Sequence, residues 1–149
     1  MFVPADFVVP TRLEAEEFVL EPLGPEHNDS DYAAWSSSTE HIHATPGWET
    51  SRWPDDRDLE ANRADLERHA DDFLNRAGFT YTVLDPRQGD VIGCVYIYPV
   101  PETEYDARVQ SWVRADRADL DAPLWHAVSD WIATDWPFAK VEYAARASA

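Results

Sequence analysis

The sequence is poor in the residues that most often mark chemistry. It has one cysteine, one methionine and five glycines in 149 residues, and no glycine follows Gly93. A single thiol, Cys94, excludes an intramolecular disulfide and fits a reducing cytoplasm, where the chain is expected to reside. Basic charge is scarce as well. Twelve Lys and Arg face 29 Asp and Glu, a formal net charge of −17, and Lys140 is the only lysine. Nucleic acids and anionic membrane surfaces select basic proteins, so neither is expected as a general partner. No stretch approaches the roughly 18 consecutive apolar residues of a membrane span. The opening MFVPADFVVP has no basic flank and carries prolines in its apolar part, which excludes a secretory signal. The acidity either keeps the protein soluble or forms an acidic mouth that attracts a cationic amine.

Aromatic residues are plentiful: seven Trp, six Tyr and six Phe within a hydrophobic content of 44%. That supports a core of normal size in one domain spanning residues 1–149. Residues 1–17 read as a leader packing on it. FVLEPL (Phe18 to Leu23) reads as a strand ended by Gly24-Pro25. Asn28, Asp29 and Ser30 signal a helix start. TEHIHATPGWETSRWPDD reads as a long irregular connection rich in aromatics, a place where function often sits. The spacing predicts a helix over Asp58 to Ala77, with Leu59, Leu66, Phe73 and Leu74 near one face and Gly78 as its stop. Three antiparallel strands follow: FTYTVLD (79–85), VIGCVYIYPV (91–100) and ARVQSWVRA (107–115). The middle one is apolar on both faces and hence central. Leu124, Trp125, Val128, Trp131 and Ile132 form one helical stripe. Pro137 ends that helix, and KVEYAA (140–145) is a last strand, parallel to the strand before the helix because a helical crossover joins parallel neighbours.

The segment VRADRADLD (113–121) lies where a strand feeds a helix. Such a place can hold a phosphate on backbone N–H groups and the positive end of the helix dipole. That cradle needs glycine, and this segment has none. Asp121 reads as an N-cap and Pro123 suits the first turn, so a capped structural helix also accounts for it. Arg114 and Arg117 offer a side-chain route to an anion instead.

The order strand, two helices, three antiparallel strands, helix, strand resembles the GNAT superfamily of N-acetyltransferases, especially its ribosomal-protein-alanine acetyltransferase branch. FVLEPLGPEHNDSDYAAW resembles the first strand and helix of that branch. GFTYTVLDPRQGDVIGCVYIYP resembles its middle hairpin, with Gly93 at the small-residue position. SWVRADRADLDAPLWHAVSDWIATDW resembles its fourth strand, phosphate loop and following helix. The resemblance covers Glu17 to Ala145. It implies an α/β (α+β) fold with a mixed, mainly antiparallel sheet flanked by helices. It also implies acetyl-CoA as co-substrate, no metal, and a small amine or peptide N-terminus as acceptor, attacking the thioester directly. Carried over by position, the donor would contact Ser111, Trp112, Val113, Arg114, Arg117, Leu120, Asp121 and Ala122, with a polarising N–H near Trp112 to Arg114.

Two departures stand beside the resemblance. The family's loop pattern has glycines where this chain has Arg117 and Asp119, or Leu120 and Ala122 in the other register. Family members also continue after the fifth strand with a helix and two strands, often carrying a tyrosine that protonates the leaving thiolate. The fold is therefore expected to be truncated after the fifth strand, leaving a face and an edge that a homodimer would cover. For the proton of the acceptor amine, Tyr96, Tyr98 and His41 are the candidates. His43, Trp48 and Trp53 are the substrate-pocket candidates. His41 and His43 lack a third ligand at metal spacing, and Cys94 is expected to be buried and inert. Two functions are open at this point: an acyl-CoA-dependent N-acyltransferase, and a non-catalytic relative that binds a ligand or protein.

Overall fold

The computed structural model describes residues 1–146. Six strands form one sheet in the order β1-β2-β3-β4-β5-β6: Leu13–Glu14, Val19–Pro22, Phe79–Leu84, Val91–Tyr98, Ala107–Val113 and Val141–Tyr143. Every neighbouring pair is antiparallel except β5 and β6, which run parallel, as a helical crossover requires. The fold is the mixed, mainly antiparallel α/β sheet implied by the sequence, with one more strand. The leader supplies it: Leu13 pairs with Leu20 and Glu14 with Val19. The leader also places Val3 in the core with Phe18 and Phe79.

The helices are α1 (Asn28–Ser36), α2 (Thr39–His43), α3 (Leu59–Leu74) and α4 (Asp121–Asp135). α2 corrects the expectation of an irregular connection, because TEHIH forms a short helix inside it. α1 starts one residue earlier than its signal, with His27 rather than Asn28 as N-cap. The Asn28 side chain bonds instead to the Leu59 carbonyl, across to α3. α3 is capped by Asp58, whose carboxylate accepts from Ala61 N–H at 2.9 Å. It stops at Asn75, after which Arg76 takes φ +59°, so Gly78 is not the breaker. Gly78 is small for another reason: a Cβ there would lie 2.0 Å from the Tyr98 ring.

Helices cover both sheet faces. On one, α4 packs Leu124, Val128, Trp131 and Ile132 against Phe79, Tyr81, Val95 and Val109. On the other, α1 and α3 bring Ala34, Trp35 and Leu66 against Cys94 and Trp112. The predicted apolar face of α3 is half wrong. Leu66 is buried, but Leu59 and Leu74 are exposed. The positions facing the sheet include Asn62, Asp65 and His69, a polar stripe at spacings of three and four. Gly93 sets the approach of β4 and β5, since a Cβ there would lie 2.4 Å from the Trp112 carbonyl oxygen.

Candidate acceptor pocket and the β5–β6 fork

β5 and β6 pair over only three residues, Ala107–Val141, Arg108–Glu142 and Val109–Tyr143. Beyond Val109 the strands part. β5 continues to Val113, paired with β4 alone. Side chains of this protein fill the opening. The Ser111 carbonyl accepts from the Trp48 indole at 2.9 Å and from the Arg146 guanidinium at 2.9 Å. Arg146, whose side chain is 4% exposed, also binds Asp121 at 2.7 Å and donates to the Pro46 and Ala144 carbonyls. The Ser111 hydroxyl lies 2.5 Å from that of Tyr143.

The loop after β5 forms a 3₁₀ segment, Ala115–Leu120, not an open loop. Asp121 is not the N-cap of α4. Leu120 holds that position without a side-chain bond, and Asp121 in the first turn spends its carboxylate on Arg146. The first N–H of the segment, on Ala115, goes to the Ser38 hydroxyl at 2.8 Å. Both loop arginines are committed: Arg114 to Asp90, Asp116 and the Val91 carbonyl, Arg117 to Asp85. Trp112, Val113 and Leu120 are buried, and Ala122 is partly so.

Beside the fork, between α3 and the β4–β5 face, is a cavity of about 390 Å³. Trp48, Trp53, Tyr96 and Tyr98 line it, which brings four predicted residues together. Trp48 and Trp53 serve as anchors as well as walls. Their rings lie 5.5 Å apart, Trp53 is 5.9 Å from Trp112, and Trp48 is 5.5 Å from Tyr96. His41 and His43 are not among the lining residues. They lie on α2, where the Nε2 of each is buried without a hydrogen-bond partner among the described residues. Among the described residues no three His, Cys, Asp or Glu side chains gather as a metal set. Cys94 is fully buried, and burial raises its thiol well above the ordinary value.

The cavity contains ionisable residues that the sequence reading missed. Asp31 of α1 is 4% exposed. One of its oxygens accepts from Asn62 Nδ2 at 3.1 Å. Asn62 also accepts from the Trp35 indole and donates to Asn28, so its own amide is satisfied. Burial raises the Asp31 carboxyl from 3.8 to about 6, with the Asn62 bond opposing. Further along α3, burial and the Arg68 charge lower His69 from 6.5 to about 4 and keep it neutral. Its Nδ1 lies 3.0 Å from the Tyr98 hydroxyl and 3.0 Å from that of Thr80. Tyr98 donates to Asp72 at 2.9 Å, and burial pushes its phenol up to about 12. The Tyr96 hydroxyl accepts from the Trp112 indole at 3.0 Å and is likewise raised by burial. The signal for Asn62, Asp65 and His69 is present in the sequence as polar residues at helical spacing. Their burial depends on how α3 meets the sheet.

No protein-family profile and no curated protein sequence matches the chain. Solved structures do. The chain is similar to the ribosomal-protein-S5-alanine acetyltransferase of Vibrio fischeri, with 14% identity, a TM-score of 0.62, and coverage of 83% of this chain and 67% of that one. It is similar to a ribosomal-protein-serine acetyltransferase described from Vibrio cholerae, at 10% identity and TM-score 0.70 over 92% and 75% of the two chains. A third is the microcin C7 self-immunity acetyltransferase MccE in complex with acetyl-CoA and AMP, with 11% identity, TM-score 0.58, and coverage of 84% and 66%. The chain therefore has the fold of the GNAT acetyltransferases, and it spans about two thirds to three quarters of the length of these neighbours.

Proposed function

We propose that the protein is an acyl-CoA-dependent N-acyltransferase whose acceptor amine sits in the α3–β4–β5 cavity. The observation that carries this reading is the conjunction of two features on the GNAT fold. A parallel strand pair parts beside Ser111, and a buried, half-satisfied carboxylate faces the adjoining cavity. Asp31 and Tyr96 line the same cavity, and the Tyr96 hydroxyl accepts from the indole of Trp112 on β5. This supports an acceptor site beside the thioester carbonyl, which would meet the Val113 N–H, since the Arg114 N–H is given to the Ile92 carbonyl and the register turns that of Trp112 to β4 as well.

In this reading an ammonium enters opposite Asp31, which draws it in as the anion and takes one proton, freeing the nitrogen lone pair to attack the thioester carbonyl. A carboxylate raised toward 6 is better matched to that transfer than an ordinary one. The thioester oxygen gathers charge at the β5 backbone; as the C–S bond breaks and the amide forms, the second N–H proton passes to the leaving sulfur and the donor departs as its free thiol. Donor phosphates would lie near Arg117 to Ala122, at the start of α4. To admit the pantetheine arm along β5, Trp48 and Arg146 must give up the Ser111 carbonyl. Asp121 then faces the phosphates unless Arg146 stays with it.

Calorimetry with acetyl-CoA tests the reading. Binding by the parent protein is expected. Asp121→Asn should bind about two- to fivefold more tightly, the worth of one charge at a helix N-terminus. Folded protein that ignores millimolar acetyl-CoA would overturn the reading and leave a ligand-binding module. The edge of β6 and the apolar strip of Trp125, Ile132, Val141 and Tyr143 beside it are where two copies would pair. Light scattering should then give the mass of a dimer.

A further inference from the structure

We propose that the cavity takes an amine bearing a carboxylate at the far end of an apolar spacer, with the ammonium at Asp31 and the carboxylate at Arg68 and Arg108. The proposal rests on the reading of this cavity as the acceptor site and names the class of acceptor.

Besides the protonated phenols of Tyr96 and Tyr98, six ionisable side chains line the cavity: Asp31, Asp65, Arg57, Arg68, Arg108 and His69. Three are accounted for without a ligand. Arg57 is spent on Asp55 and Asp65, and Asp65 on Arg57 and Arg68. His69 is neutral. What remains is one anion inside and two cations outside. Asp31 is almost wholly buried, with one oxygen lacking a hydrogen bond among the described residues. Among the described residues Arg68 has a single carboxylate contact, to Asp65 at 3.5 Å, and its side chain is 58% exposed. Arg108 is engaged through Nε with Glu142, which leaves its terminal nitrogens without a partner among the described residues.

The separation follows from the helix. Asp31 is bonded to Asn62, and Arg68 lies six residues further along α3, an axial rise of about 9 Å. Arg108 is at the same end, since it pairs with Tyr98 across β4 and β5. Between the two ends the walls are Trp48, Trp53, Tyr96 and Leu66. Such a cavity is at the small end of the range for ligand sites, about 300–1,000 Å³. A wholly cationic ligand would meet the rim arginines. A wholly anionic one would meet Asp31 with no compensating charge and a protein of net charge −17. A dipolar molecule with a flat apolar middle satisfies both ends and the walls.

Three matched compounds test this by calorimetry at pH 7.5, without acyl donor: 4-(aminomethyl)benzoate, benzylamine and benzoate. The first should bind about two- to fivefold tighter than benzylamine, the worth of a partly exposed ion pair, and benzoate should not bind. Asp31→Asn, with its fold checked by circular dichroism, should abolish binding of both amines. The double variant Arg68→Ala, Arg108→Ala should reduce 4-(aminomethyl)benzoate to the affinity of benzylamine. Equal affinity for the two amines in the parent, or benzoate binding that survives in Asp31→Asn, would overturn the proposal, as would no binding of any of the three. If acetyl-CoA binds and the dipolar amine does not, this proposal alone fails. If the amine binds and acetyl-CoA does not, the acyl-transfer reading fails and the cavity assignment stands.

Discussion

At Asp31, stability and chemistry pull in opposite directions. Its carboxyl is raised from 3.8 to about 6, so the folded protein holds a proton that the unfolded chain has released. The native state is therefore penalised increasingly as pH rises from about 4 to about 6, and fully above that. Asp31→Asn removes the charge and keeps an acceptor for Asn62. It should be more stable than the parent by about 1–3 kcal/mol at pH 8, with the gain gone below about pH 4. Denaturant titrations at the two pH values measure it. The same variant should lose about 100-fold or more in acetyl transfer, the usual contribution of a positioned base. His69 has the opposite sign. Its folded value of about 4 lies below 6.5, so the unfolded chain takes up the proton first and stability falls as pH drops from about 6.5 to 4. The two slopes oppose each other in the parent, and Asp31→Asn should expose the His69 slope. At Gly93 the matter is steric. Gly93→Ala would drive a methyl into the Trp112 carbonyl, and a loss of about 1–3 kcal/mol is expected on thermal unfolding.

Among the elements, α3 holds the site together. Its existence was legible in the sequence, and its start to within one residue, though not the capping role of Asp58. Its working face was not, because a polar stripe on a helix ordinarily turns to water. Here Asn62 is buried because it answers three groups at once: the Trp35 indole, the Asn28 amide and the Asp31 carboxylate. Asn62→Ala leaves all three short of a partner. It should cost about 2–4 kcal/mol in urea unfolding, since each orphaned buried group carries its own desolvation penalty. The segment after β5 teaches the converse. Its lack of glycine was plain, but the partner of Asp121 was not. Arg146 is 25 residues away and reaches it only because β6 returns parallel to β5.

For the whole molecule, the net charge of −17 acts on any charged partner before contact. Acetyl-CoA is an anion and is repelled at low salt. Its association should quicken as ionic strength rises from about 10 to about 150 mM, where the screening length falls to about 8 Å. Stopped-flow association rates give the sign directly, and a rate that falls with salt would mean that local arginines dominate the approach.

Composition and periodicity by themselves determined that this chain folds as an α/β domain with a central apolar strand, a parallel closing strand and a loop without a glycine cradle. These properties are local, written in alternation, helical spacing and turn residues. Only the tertiary structure decided that Trp48 and Arg146 share the Ser111 carbonyl, and that Asp31, Asn62 and His69 face one cavity. It also decided that Arg114 and Arg117 are held by carboxylates. Burial and charge pairing join residues remote in the chain, and a carboxylate acquires its chemistry from the neighbours that exclude water from it.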